Sequence, residues 1–166
     1  MKEFCLFFVA VIVMLAAGCD GGERAVAKDP RFAQITDEVI VDKETGLMWT
    51  RNTNAPGPDE CAPGAKRKWQ DAQKYIACLN DEDNKYLGYN DWRLPAIEEL
   101  ENLIHLSRAN TVNWLQTQGF SNVQLGWYWS ATSENSYAWI AHMDYGYAFQ
   151  DNKDYEHHVW PVRKLN

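Results

Sequence analysis

Three groups of residues carry side chains that could do chemistry. His142 and Asp144 stand two apart, on one face if the segment is a strand, and Ser130, Thr132 and Ser133 precede them, so a Ser-His-Asp relay can be drawn. The Gly-x-Ser-x-Gly turn that would present such a serine is absent, which leaves hydrolysis as the lesser alternative to non-catalytic binding. His157 and His158 are adjacent; on a strand they point to opposite faces and cannot chelate one metal together. Asn80-Asp81-Glu82-Asp83-Asn84 offers oxygens to a hard cation such as calcium. It lacks the twelve-residue order of an EF-hand, with Gly at six and Glu at twelve, and reads as a solvated loop. No metal site and no cofactor is expected from these patterns.

Recognition is better supplied than catalysis. The chain has eight Trp and eight Tyr, many beside Asn, Asp and Ser, and flat aromatic faces next to planar polar groups suit sugar rings or peptides. Trp127, Tyr128 and Trp129 are the leading candidates, because alternate strand residues face opposite ways and one face of the three can stay exposed. Any single Trp is also good core filler for a small, loop-rich domain. Lys66, Arg67 and Lys68 form the one basic run, either a solvated loop or, with Arg163 and Lys164, a local anion-binding cluster.

The elements that must position these groups centre on residues 88–100. Asn90 and Asp91 are turn formers, and Pro95 biases Leu94 away from the α region while suiting a first helical turn. The spacing of Ile97, Leu100, Leu103 and Ile104 predicts a helix from near Pro95, with Glu98, Glu99 and Glu101 at its positive end. Trp92 reads as the plug beneath that helix, and Asp91 and Arg93 as either structural charges or binding groups. An earlier helix is predicted from Trp69 to Leu79, with Ala72 and Ile76 on its apolar stripe. Val39–Val41 and Leu47–Trp49 predict a hairpin that turns at Gly46 with Trp49 facing the core. Residues 51–66, with three prolines and two glycines, predict a long irregular loop. Residues 107–126 read as an irregular segment pinned by Trp114, Leu115 and Phe120. From Trp127 on the chain alternates like strands, with a turn at Tyr145-Gly146, a return at Tyr147-Ala148-Phe149 and a last strand over 157–163 carrying Pro161 at an edge or bulge. The expected fold class is α+β: two helices packed on short antiparallel strands, with long irregular loops.

Export shapes the rest. At 166 residues the chain has room for one domain. Residues 1–18 read as a signal segment, with Met1 and Lys2, an apolar run from Phe4 to Leu15, and small residues 16–18. Leu15-Ala16-Ala17-Gly18 directly before Cys19 is similar to a bacterial lipobox, which makes Cys19 the lipidated first residue of a membrane-anchored lipoprotein; an ordinary signal peptide followed by a chance Cys is the alternative. Asp20 resembles the inner-membrane retention signal of enteric lipoproteins. Residues 19–36 then form the lipidated Cys and a flexible tether, and 37–166 the folded domain. Cys61 and Cys78 remain, and in an oxidising compartment an isolated pair is most simply a disulfide. The net charge of −7 disfavours a nucleic-acid partner and any broad attraction to sulfated polysaccharides.

Four motifs also carry a resemblance. Val41-Asp42-Lys43-Glu44-Thr45-Gly46-Leu47-Met48-Trp49, Asn90-Asp91-Trp92-Arg93-Leu94-Pro95, Tyr128-Trp129-Ser130-Ala131-Thr132-Ser133 and Pro161-Val162-Arg163 stand in the order seen in the C-terminal domain of the Legionella collagen-like adhesins. Between about Val39 and Arg163 the chain resembles that family. Ala96 replaces a usual Thr, removing one helix-capping hydroxyl, and Trp160 replaces a usual Arg or small residue. The resemblance implies adhesion, with glycans, sulfated ones included, as the ligand class. Trp-Arg-Leu-Pro alone is similar to the formylglycine-generating enzymes, which implies a C-type-lectin-like fold; their chemistry needs late cysteines, and none follows Cys78. The combined expectation is a cell-envelope lipoprotein, periplasmic or surface-exposed, whose domain binds a glycan or protein. A purely structural role in an envelope assembly is the alternative.

Overall fold

The computed structural model describes residues 31–107 and 110–165, with the backbone alone for 105–107. The signal segment, Cys19 and the tether up to residue 30 lie outside the described residues. Twelve residues of β-hairpin start the core: β2 (Val39–Asp42) and β3 (Leu47–Thr50) pair antiparallel around Gly46, whose φ of +66° is the left-handed turn conformation the sequence reserved for it. β1 (Phe32–Thr36) adds on one side and β7 (Val162–Lys164) on the other, giving the order β1-β2-β3-β7. A second sheet, β4-β5-β6, consists of Trp127–Glu134, Tyr137–His142 and Ala148–Asn152.

Both sheets divide two cores, because period-two alternation sends neighbouring residues to opposite faces. Ile40, Leu47 and Trp49 with Tyr128 and Ala141 pack against α2 (Ile97–Ser107) and α3 (Thr111–Thr117). Val39, Val41 and Met48 with Trp129 and Ile140 pack against α1 (Trp69–Leu79), Trp92 and Leu94. Trp160 belongs to the first core: it is fully buried, its ring lies 4.8 Å from Trp49 and 5.0 Å from Phe120, and its indole N–H donates to the Thr50 carbonyl.

The α+β class is as expected, and three details differ. The tether ends sooner than residue 36, since 32–36 form the edge strand β1; only Phe32 of it is buried, so its alternation is weak. A third helix, α3, occupies part of the expected irregular segment, capped by Asn110, whose side chain accepts from the Asn113 amide at 2.9 Å. The last strand is limited to Val162–Lys164, with isolated bridges at His157 and His158 before it.

The Cys61–Cys78 disulfide ties the 51–66 loop to α1, and closing a loop of this size contributes roughly 3 kcal/mol. Gly57 lets that loop approach α1 closely, since a Cβ there would lie 2.7 Å from Leu79 Cδ2.

Candidate functional site

The residues singled out around Trp92 build a frame. Trp92 is 2% exposed, and its indole donates to the Tyr86 carbonyl at 2.8 Å. Its backbone amide and carbonyl are both held by the Asn80 side chain. Asp91 and Arg93 do not pair with each other. Asp91 takes Arg163, buried and lying 3.9 Å over the Tyr89 ring; Arg93 takes both oxygens of Glu99 at 2.7 Å. Glu99 also accepts the Ala96 amide at 2.8 Å, and Thr132 Oγ1 accepts the Ile97 amide at 3.1 Å. Thus a hydroxyl from β4 serves the α2 N-terminus that Ala96 leaves without one. Pro95 adds a carbonyl for the Ala131 amide at 2.7 Å.

The expected basic cluster is corrected. Arg67 is buried, with its guanidinium donating to the carbonyls of Ala65, Cys61 and Ala62 and stacked 4.5 Å from the Tyr75 ring. Lys66 and Lys68 are exposed, and Lys68 lies 3.9 Å from Asp154. With Arg163 committed to Asp91, two of the five cations of the proposed cluster are spent inside the fold.

The Ser-His-Asp relay is not assembled either. Ser130 is fully buried and its hydroxyl accepts from the Thr132 amide. His142 Nδ1 accepts from the amides of Asp144 and Tyr145, both at 3.1 Å, whereas a relay needs an Nδ1–H donated to a carboxylate. Burial holds His142 below the usual imidazole range despite the opposing charge of Asp144, so it is neutral at neutral pH with its proton on Nε2. His157 and His158 face apart as expected, one against Trp129 and Asp151, the other against Tyr128 and Asn54. Burial, followed by the nearby charges of Lys66 and His157, pushes His158 down to about 4. The acidic loop spends oxygens on its own fold: Asn80 on Trp92, Asp81 on the Asp83 amide, Glu82 on Lys85.

Of the three aromatic candidates, Tyr128 and Trp129 are fully buried, which corrects their assignment as ligand groups. The Tyr128 hydroxyl lies 3.0 Å from Thr53 Oγ1 and accepts the Gln124 amide, while Trp129 donates to the Arg67 carbonyl at 2.7 Å. Trp127 is half-buried, and it anchors the feature the triplet pointed toward. His142, directly opposite it in the β4–β5 register, meets its ring edge-on at 4.4 Å; Phe149 does so at 4.6 Å and Tyr147 at 5.4 Å. Tyr145 stacks on His142 at 4.4 Å, and Tyr147 runs parallel to Tyr145 at 5.9 Å and to Phe149 at 6.4 Å. The result is a ladder of rings along β6 and the turn before it. Its outer members stay in solvent: Tyr145 is 67%, Tyr147 50% and Phe149 40% exposed.

A ladder of this kind offers a rigid, amphipathic contact surface whose rings have already lost their rotamer freedom to one another. The sequence signal was present as Tyr145, Tyr147 and Phe149 at alternate positions. It reads equally as a buried strand face, and only the placement of β6 at a sheet edge makes it a surface.

The family model of the Lcl C-terminal domain matches residues 38–163. No curated protein matches the chain.

Proposed function

We propose, from the chain's place in the Lcl C-terminal domain family, to which it belongs, that this adhesin-like domain binds its ligand without catalysis, through the aromatic ladder of Trp127, Tyr145, Tyr147 and Phe149. The observation that carries this reading is the exposure of three stacked rings that a folded domain gains nothing by keeping in water. Glycan or protein ligands both suit such a surface. Contact by stacking and buried area survives moderate salt, whereas binding through exposed cations is screened beyond about 8 Å at physiological ionic strength. A glycan and peptide screen of the full chain in detergent, run at low and high salt, tests this. Retained ligands should persist in high salt and weaken at least tenfold in Tyr147→Ala. Salt-sensitive retention on sulfated ligands alone, unchanged by Tyr147→Ala, would return the weight to Lys66, Lys68 and Lys164.

The same protein is, on this proposal, a lipoprotein of the cell envelope, held to the membrane by lipid on Cys19. Support comes from the apolar run and small residues that precede Cys19. Two or three acyl chains anchor firmly where a single one is marginal. Cys19→Ala should leave the membrane fraction, and sedimentation of that variant with membranes after a high-salt wash would refute the anchor.

A further inference from the structure

Among the described residues, no strand or bridge pairs with the outer side of β6. The strand pairs with β5 without a register shift; the His142 amide donates to the Tyr147 carbonyl at 2.9 Å, and the Lys153 amide to the Ser136 carbonyl at 2.9 Å. Those two bonds fix the alternation of an antiparallel ladder. Residues 147, 149, 151 and 153 turn their backbone groups toward β5, and Ala148 and Gln150 turn theirs away. The outward amide of Asn152 is taken by its neighbour Asp151 at 2.8 Å.

Other strand edges are closed or blunted. Arg93 exchanges backbone hydrogen bonds with Val162 on the outer side of β7, and His158 does so along β4. β1 ends the first sheet, but its register shifts between Gln34 and Thr36, an irregularity that interrupts further pairing. β6 has no shift, no proline and no lysine. Its one charged residue, Asp151, lies 2.8 Å from His157.

The surface beside this edge has a definite charge preference. Tyr147 and Phe149 stand on its ladder face, with the exposed carboxylate of Asp144 next to Tyr145. The cation–π contacts found among the described residues use Phe32, Trp69, Tyr75 and Tyr89, none of them in the ladder. His142, the ladder's one titratable nitrogen base, is neutral. Among the described residues, these ring faces and this carboxylate meet no cation, on a chain of net charge −7.

We infer that β6 accepts an added strand from an extended polypeptide bearing lysine or arginine at alternate positions. Main-chain hydrogen bonds form with Ala148 and Gln150, and the partner's cations lie over Tyr147 and Phe149 and toward Asp144. This rests on the ladder being the binding surface and names its occupant as a basic polypeptide.

The probe is a synthetic octapeptide alternating Lys and Val, titrated onto the full chain in detergent. Two controls accompany it: the fully N-methylated peptide, which keeps its charge and cannot donate main-chain hydrogen bonds, and the peptide with every Lys replaced by Glu. Gln150→Pro is the matching protein variant, since it deletes an outward N–H and leaves the bonds to β5 in place. The octapeptide should slow hydrogen exchange at Ala148 and Gln150. N-methylation, Lys-to-Glu replacement and Gln150→Pro should each weaken it at least tenfold. Equal affinity for the N-methylated peptide overturns strand addition even if Gln150→Pro fails to fold, and equal affinity for the Glu peptide overturns the charge preference. A glycan that binds through Tyr147 while the octapeptide does not would sink this inference and leave the ladder reading standing. Absence of any ligand sensitive to Tyr147→Ala would sink both.

Discussion

Two aromatic regions of this domain look alike in composition and differ in what their rings do. The rings of Trp92, Trp49 and Trp160 are buried, the indole N–H groups of Trp92 and Trp160 find carbonyls, and ion pairs such as Asp91–Arg163 and Arg93–Glu99 close the margins. Along β6 the rings contact one another and are exposed, with no helix of the described residues laid over them. The motifs that mark the family fall in the first region, and the ladder rings Tyr145, Tyr147 and Phe149 fall outside all four. Motif density here reports the frame, and the exposed ladder lies on a segment between motifs.

The largest expected effect belongs to the frame. Truncation of a buried Trp costs about 3 to 5 kcal/mol, and Trp92→Ala also strands the Tyr86 carbonyl that accepts from its indole N–H. Trp92→Ala should therefore lower the denaturant midpoint sharply. A variant that keeps its midpoint but loses ligand would move Trp92 from the frame to the site and erase the contrast.

Much of the frame was legible in the sequence because its signals are local. Gly46 needed a positive φ, Pro95 set a helix start, and Ala72, Ile76 and Leu79 marked one stripe of α1 with bounds that the fold reproduces. The Cys61–Cys78 bridge followed from a count of two. The long-range pairings were not legible. Nothing adjacent to Asp91 or Arg93 says that one reaches 72 residues to Arg163 while the other turns to Glu99. Arg67 looked like part of a basic run because its neighbours are exposed, yet the chain at that point bridges to His157 and drives the middle side chain inward. α3 has a cap at Asn110 and Gly119 just past its end, but seven residues give too little periodicity to outweigh the loop reading. The ladder was missed for a related reason: alternation identifies a strand face, and exposure depends on whether another element comes to cover it.

The smallest expected effect lies at the ladder's outer end and is the sharpest check on the contrast. Tyr145 stacks on His142 and Tyr147 and is two-thirds in solvent, so its removal forfeits ring contacts worth about 1 kcal/mol or less and opens no cavity in either core. Tyr145→Ala should unfold within about 1 kcal/mol of the parent while losing affinity for whatever ligand the screen retains. The Nδ1 contacts of His142 with the turn amides do not pass through the Tyr145 ring, which is why the turn should hold its shape without it. Equilibrium unfolding in urea, read beside ligand titration on the same preparation, measures both quantities. If Tyr145→Ala instead unfolds several kcal/mol earlier, the ladder is a structural cap on the second sheet, and its exposed rings stabilise the fold as those around Trp92 do.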